Sequence, residues 1–411
     1  MKKWTINVFI LLAFSLLNAT IIHIPADYPA IQEGINASVD GDTVLVADGV
    51  YYENLSIDRE ITLASHFIID GNISHRDATI IDGGNYDEDS GPFGSCVLFR
   101  PPENGDAISP KLTGFTIQHG LGTRVNDSSG DTTITYFMGG GLMIWHTLPE
   151  ITYNYIRDNG SESDTRAGST KRGGASGLNT DDDVEFDEDR GEPYDRTVLT
   201  RDDEIIFSNN IFENNDSETG NTFESIGYVG DIDFSSSVFD VFCSYYTDVS
   251  EYWVVEGEAN SDFTGSSGEL EAITDDVWIS PDGVDETITT GTDQDPFKTI
   301  DYAMSRIYVT ASNGSTINLT GETFSPSTTG EEFPIIMISN VNLIGQGEEV
   351  TIIDAEQTSS VMVIYNQDNI TISSITFTGG KPEFNSLLGG ITMYYSDITM
   401  THVIIRENGN E

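Results

Sequence analysis

Cysteine is nearly missing from this chain. Cys96 and Cys243 are its two thiols in 411 residues, too few and too far apart for a disulfide framework even in an oxidising compartment. Stability therefore has to come from repeated burial. Positive charge is equally scarce: 18 Lys and Arg face 68 Asp and Glu, a formal charge of −50 with an isoelectric point near 4.1. Such a surface repels nucleic acid and anionic membranes, which excludes nucleic-acid binding. It suits a saline or calcium-rich exterior, where screening removes the self-repulsion. Also missing is any apolar run of the roughly 20 residues needed to span a bilayer, so no transmembrane segment is expected. The run from Val8 to Leu17 follows Lys2 and Lys3 and precedes Asn18, Ala19 and Thr20. That pattern is a signal peptide over residues 1–20, and it predicts a secreted, extracellular or cell-surface protein.

Glycine, at 40 residues, is abundant, and the repeats show why. One row recurs five times: an apolar residue, a second position two later, an apolar residue three further on, and a turn residue three beyond that. The rows are Leu112, Gly114, Ile117, Gly120; Ile151, Tyr153, Ile156, Asn159; Phe207, Asn209, Phe212, Asn215; Ile372, Ser374, Phe377, Gly380; and Met400, His402, Ile405, Asn408. Short β-rich rows closed by Gly or Asn suit a coil of parallel strands, because Gly tolerates tight bends and Asn amides can bond backbone groups. The expected fold is all-β, a right-handed parallel β-helix.

A larger duplication overlies the rows. Thr79 to Asp82 and Thr351 to Asp354 both read TIID. Gly140-Gly141-Leu142 to Trp145 lines up with Gly389-Gly390-Ile391 to Tyr394, and the same offset carries Arg157-Asp158-Asn159-Gly160 onto Arg406-Glu407-Asn408-Gly409. Each copy opens with the spacing of a short capping helix, Ile31 and Ile35 after Pro29, then Ile300, Met304 and Ile307 after Pro296. Such a lid protects the open edge of the first coil. Two tandem β-helices are therefore expected, over 21–265 and 277–411, joined by an acidic linker at 266–276. A polar, acidic excursion at 161–204 interrupts the first copy, although Gly173 to Leu178 resembles the glycine-led strand at Gly140. The chain stops directly after a row without a polar cap, which predicts a truncated second copy. A monomer is expected.

Ile24 to Ile57, IPADYPAIQEGINASVDGDTVLVADGVYYENLSI, resembles the opening of pectin-lyase-like β-helix proteins, including pectin methylesterases. Ser280 to Met304, SPDGVDETITTGTDQDPFKTIDYAM, is similar to a bacterial surface β-helix domain of unknown function. The resemblance covers most of residues 21 to 411 and implies the fold more sharply than an activity. The paired aspartates of QDT-like and DF-G-like motifs, which pectin methylesterases carry with a downstream arginine, do not occur in that context. The lysines with which pectate lyases hold a uronate chain are scarce, since this chain has six.

Several individual residues admit both a functional and a plain structural role. Asp82 and Asp354, after TII, are read as turn formers. Asp181, Asp182, Asp183, Asp187 and Asp189 offer hard oxygen ligands for calcium within the excursion, the one cofactor expectation, although solvated like charges are the simpler state. Trp145 and Tyr394 are equivalent under the duplication, and Thr392 on the same face suggests that the face is outward. An exposed aromatic in each copy could stack on a sugar ring. His119, His146 and His402 lack a second ligand at metal spacing, and neither cysteine has a CxxC partner, so these are read as structural. The leading functional expectation is a non-catalytic β-helix protein that contacts carbohydrate, a polysaccharide or a cell-surface glycan, or another extracellular macromolecule. The alternatives are a carbohydrate-active enzyme, either a polysaccharide lyase or a glycoside hydrolase, and a structural spacer.

Overall fold

Alternating burial along short strands, punctuated by left-handed residues, winds the chain into stacked rungs. The computed structural model describes residues 19–85, 93–102, 105–127, 134–160, 170–180, 184–186, 199–217, 220–242, 253–256, 259–270, 272–381 and 389–409. In the first half three parallel sheets run side by side. The first holds eight strands from Ile21–Ile24 to Asn260–Asp262, the second seven from Gly49–Tyr51 to Ser267–Glu269, and the third six from Leu55–Ile57 to Trp253–Glu256. The chain visits them in the same order on every turn, which is a parallel β-helix; the right hand follows from strand twist. Inward residues stack in register. In the second sheet Ile81, Ile117, Ile156, Phe212 and Phe239 follow one another and all are buried.

The recurring row maps onto the corner between the first two sheets. Its apolar positions point inward, and its second position is the bend itself: Gly114, Tyr153, Asn209, Ser374 and His402 have φ of 80°, 58°, 60°, 61° and 53°. A non-glycine residue there costs about 1–2 kcal/mol, a cost offset by the register it sets for both flanking strands. The fourth position closes the next corner. The carboxamide oxygen of Asn159 accepts from the Gly120 N–H (3.0 Å), and that of Asn408 from the Gly380 N–H (2.7 Å). At Gly120 a β-carbon would lie 1.9 Å from the Gly140 carbonyl oxygen, and at Gly380 1.6 Å from that of Gly389. No side chain fits where the two ends of the segment that links the second face to the third within one turn approach so closely.

The second half repeats the plan. Strands Val277–Ile279, Ser315–Leu319, Val341–Ile344, Ile370–Thr378 and Ile398–Ile405 stack in parallel, while Ile335–Ile336, Met362–Tyr365 and Ile391–Tyr394 form the third face. The two halves keep separate apolar clusters. Both expected capping helices are present, at Ile31–Ala37 and Ile300–Arg306. Each is anchored by a carboxylate from further along the chain. Glu53 accepts from the Ile31 and Gln32 N–H groups at 2.8 and 2.9 Å, and Glu331 from those of Ile300 and Asp301 at 2.9 and 3.1 Å. Amides that a helix start leaves unpaired are thereby satisfied.

Three boundaries differ from expectation. Within the acidic excursion, Ser176–Asn179 is a buried strand of the third sheet, between Leu142–Trp145 and Phe223–Ile226. Small residues and Leu178 let it fill a rung that composition alone reads as loop. Residues 266–276 are not a free linker either. Ser267–Glu269 pairs with Val238–Phe242 of the first half, and Ile273 bridges to Ile307 of the second. Finally, a small additional sheet lies outside the coil, with strands in the order Thr170–Arg172, Ile134–Met138, Gly122–Asp127 and Val184–Phe186.

Candidate functional site

That additional sheet decides which aromatic residue can meet a ligand. Leu98, Met143 and Trp145 on the third face of the first half pack with Val125, Tyr136 and Met138 of the additional sheet in one buried cluster. The Arg172 guanidinium donates to the Glu224 carboxylate at 3.0 Å and lies 4.7 Å over the Tyr136 ring, holding the additional sheet down. Trp145 is 8% exposed. The expectation of an outward, sugar-stacking Trp145 is therefore corrected. Its face does point away from the coil, but strands inserted between Gln118 and Leu142 cover it.

Tyr394 sits differently. It ends Ile391–Tyr394, directly opposite Tyr365 across the parallel pair, and the two rings stack at 5.8 Å with 9° between planes. Tyr395 follows with its ring 4.2 Å from that of Tyr394. The three are 60% (Tyr365), 54% (Tyr394) and 72% (Tyr395) exposed, beside the exposed Met393. A hydrogen bond to the Tyr395 hydroxyl, ahead of other causes, holds the Tyr394 phenol above its ordinary pKa, so it stays a neutral donor. Sequence reasoning missed Tyr365 and Tyr395. One rung of spacing back from Tyr394, combined with the adjacent tyrosine, was the available signal.

A polar row crosses the second sheet of the first half. Asp82, Gln118, Arg157 and Glu213 are register neighbours. The Gln118 amide donates to Asp82 at 2.8 Å and the Arg157 guanidinium donates to Gln118 at 3.0 Å. Tyr155 donates to Glu213, with the Arg76 and Arg157 guanidinium groups 5.7 and 5.1 Å from its ring centre. His119 Nδ1 lies 2.9 Å from Asp82. Burial alone would raise the Asp82 pKa, but hydrogen bonds from Gln118, Gly84 and His119 outweigh it and keep the carboxylate ionised.

Asp82 also accepts from the Gly84 N–H, and Asp354 from the Glu356 N–H, the turn bonds expected of both. Asp354, Gln357, Glu407 and Asn408 line a cleft of 520 Å³. His119, His146 and His402 all take left-handed backbone conformations at bends, in keeping with structural roles. Cys96 is buried and its thiol is pushed up to about 12, chiefly by burial, so it is inert as a nucleophile. Cys243 and the proposed calcium ligands Asp181, Asp182, Asp183, Asp187 and Asp189 lie outside the described residues.

Among known proteins, residues 282–392 match a family described as a protein of unknown function, DUF1565. The match falls in the second half and includes Tyr365. Among curated proteins none matches the chain. A solved structure of an arginine-to-alanine mutant of the PL6 family alginate lyase AlyGC is similar over 94% of this chain and 80% of that one, at 9% identity and a TM-score of 0.24. No helix among the described residues is long and apolar enough to cross a membrane.

Proposed function

We propose that this is an exported β-helix protein that contacts neutral carbohydrate through the tyrosine face of its second half. The observation that carries the reading is the exposed set Tyr365, Tyr394 and Tyr395. Large rigid rings left bare on a regular face, with hydroxyls beside them, offer an apolar surface and hydrogen bonds together, which is what a sugar ring presents in return. The net charge of −50 repels polyanions and favours an uncharged ligand. Export rests on the leader pattern at residues 1–20.

Retention on a panel of immobilised neutral polysaccharides tests it. Each stacked ring contributes about 0.5–1.5 kcal/mol, so Tyr394→Ala should weaken binding roughly threefold to tenfold, and Tyr365→Ala with Tyr394→Ala should abolish retention while secretion persists. Retention unchanged in the double variant sinks the reading.

The alternative of a carbohydrate-active enzyme draws on the row Asp82, His119, Gln118 and Arg157, where an ionised carboxylate, an imidazole and a guanidinium share one face. It predicts release of reducing ends or unsaturated sugars from the same panel, lost in Asp82→Asn.

A further inference from the structure

Between the strands Thr62–Ser65 and Thr79–Asp82 the chain leaves the coil for two short helices, Phe67–Asp70 and Ile73–Ala78. Neither helix buries a residue, and Ile68, Ile69 and Ile73 are exposed. Helices of one turn without a buried face are not self-sustaining. Thr116 Oγ1 donates to the Arg76 carbonyl at 3.0 Å and the Phe67 ring packs on Tyr153 at 5.1 Å, and a further group of polar ties gathers around His75. His66 precedes the first helix, His75 lies in the second, and Asp48 stands in the turn after the strand Thr43–Val46. Ligand-capable atoms of Asp48, His66 and His75 all lie within 4.8 Å of one another. His75 Nδ1 is 2.7 Å from the Asp48 carboxylate, its Nε2 is 3.7 Å from that of Asp70, and the two imidazole rings meet edge to face at 5.6 Å.

We infer that Asp48, His66 and His75 form a binding site for a divalent transition metal of the zinc class, which fastens the helix pair to the first rungs. Two imidazoles with one carboxylate select such an ion over calcium or magnesium, which prefer all-oxygen sets. Donors on one tetrahedral zinc sit about 3.3 Å apart, given bonds of roughly 2.0–2.2 Å, so side-chain rotation of about an ångström closes the site. His75 is already oriented for it. Nδ1 faces Asp48 at 2.7 Å, while Nε2 faces Asp70 at 3.7 Å, the place of the outer carboxylate that commonly fixes a ligating histidine. On binding, the proton shared by Asp48 and His75 passes to solvent, and the metal takes its place between the two donors. The fourth position is left to water.

The full secreted chain, stripped with chelator, would be titrated with Zn²⁺ by calorimetry and with Co²⁺ by visible absorption. One equivalent should bind, with cobalt ligand-field bands, and His66→Ala or His75→Ala should each weaken it at least about tenfold, Asp70→Asn less. His119→Ala and His402→Ala serve as controls and should leave it unchanged. Equal binding by the wild type and a His66→Ala, His75→Ala double variant would assign the metal to the acidic surface and overturn the site. Should the variants fail to fold, X-ray absorption of the zinc-loaded wild type decides, since two-imidazole scattering supports the site and oxygen-only scattering refutes it.

Discussion

The two halves of the molecule share their devices and differ in their coverage. Each opens with a seven-residue helix whose first amides are held by a glutamate carboxyl group, Glu53 in one and Glu331 in the other. Each turns its corners on left-handed residues, and each follows TII with an aspartate that bonds its own turn. At the equivalent place on the third face one carries Trp145 and the other Tyr394, and there the likeness ends. The first half spends an insertion between its second and third sheets on strands that cover the tryptophan, whereas Tyr394 stays open. Equivalent sequence positions fix which way a side chain points from the coil. Whether that direction meets solvent is fixed by what the intervening loops do.

The strongest challenge to the comparison is to unfold the halves separately. Phe207 stacks on Phe234 at 5.1 Å inside the first cluster, and Phe377 is buried in the second. Phe207→Ala and Phe377→Ala should each destabilise by about 3–5 kcal/mol. Because the clusters are separate, denaturant unfolding followed by circular dichroism should show two transitions, each variant lowering one. A single transition lowered equally by both would mean that the halves stand or fall together.

The cover over Trp145 can also be loosened. The Glu224 side chain is 1% exposed beside Arg172, and removing one partner of a buried pair costs about 3–5 kcal/mol. Arg172→Met should therefore lift the additional sheet, raising amide exchange across Leu142–Trp145 and making the first half resemble the second. Unchanged exchange would show that the apolar contacts of Tyr136 and Met138 suffice.

The helix anchor of the second half makes its stability depend on pH. Burial, ahead of the neighbouring Asp301 and Asp285 charges, pushes Glu331 up to about 8. Folded, the second half then keeps a proton that the unfolded chain loses above the ordinary carboxylate range. Its stability should fall as pH rises from about 4.5 to about 8, by on the order of a few kcal/mol. Glu331→Gln, which still accepts from a backbone amide but does not titrate, should flatten that slope in thermal melts taken across the range.

The coil itself was legible because stacking imposes a fixed spacing. Gly114, Tyr153, Asn209, Ser374 and His402 hold equivalent places in their rows, and each proves to be the bend. The capping helices were legible from Ile31 and Ile35 and from Ile300 and Met304, but their anchors were not, since Glu53 and Glu331 come from later in the chain and no local pattern marks them. The cover over Trp145 is not legible for a related reason: strand alternation carries no information about a sheet folded over the strand. In the cluster of Asp48, His66 and His75 the two histidines come together through the short helix pair, and the winding of the coil brings Asp48 to them from the preceding rung.

The bends offer the finest comparison. In the first half Gly114 occupies its corner with φ of 80°, and a β-carbon there would lie 2.6 Å from the Phe67 Cβ and the Ser65 Oγ. In the second half the corresponding corner is Ser374, at φ 61°, where a side chain is already accommodated. Ser374→Gly removes a left-handed cost of about 1–2 kcal/mol and adds about 0.5–1 kcal/mol of chain entropy to be lost on folding, so a net gain of about 0.5 kcal/mol is expected in the second unfolding transition. Gly114→Ala should act in the opposite sense, because both the backbone conformation and the space refuse the methyl group. If Ser374→Gly instead destabilises, the serine contributes more to its corner than the left-handed backbone costs, and the two bends are alike in geometry but not in what holds them.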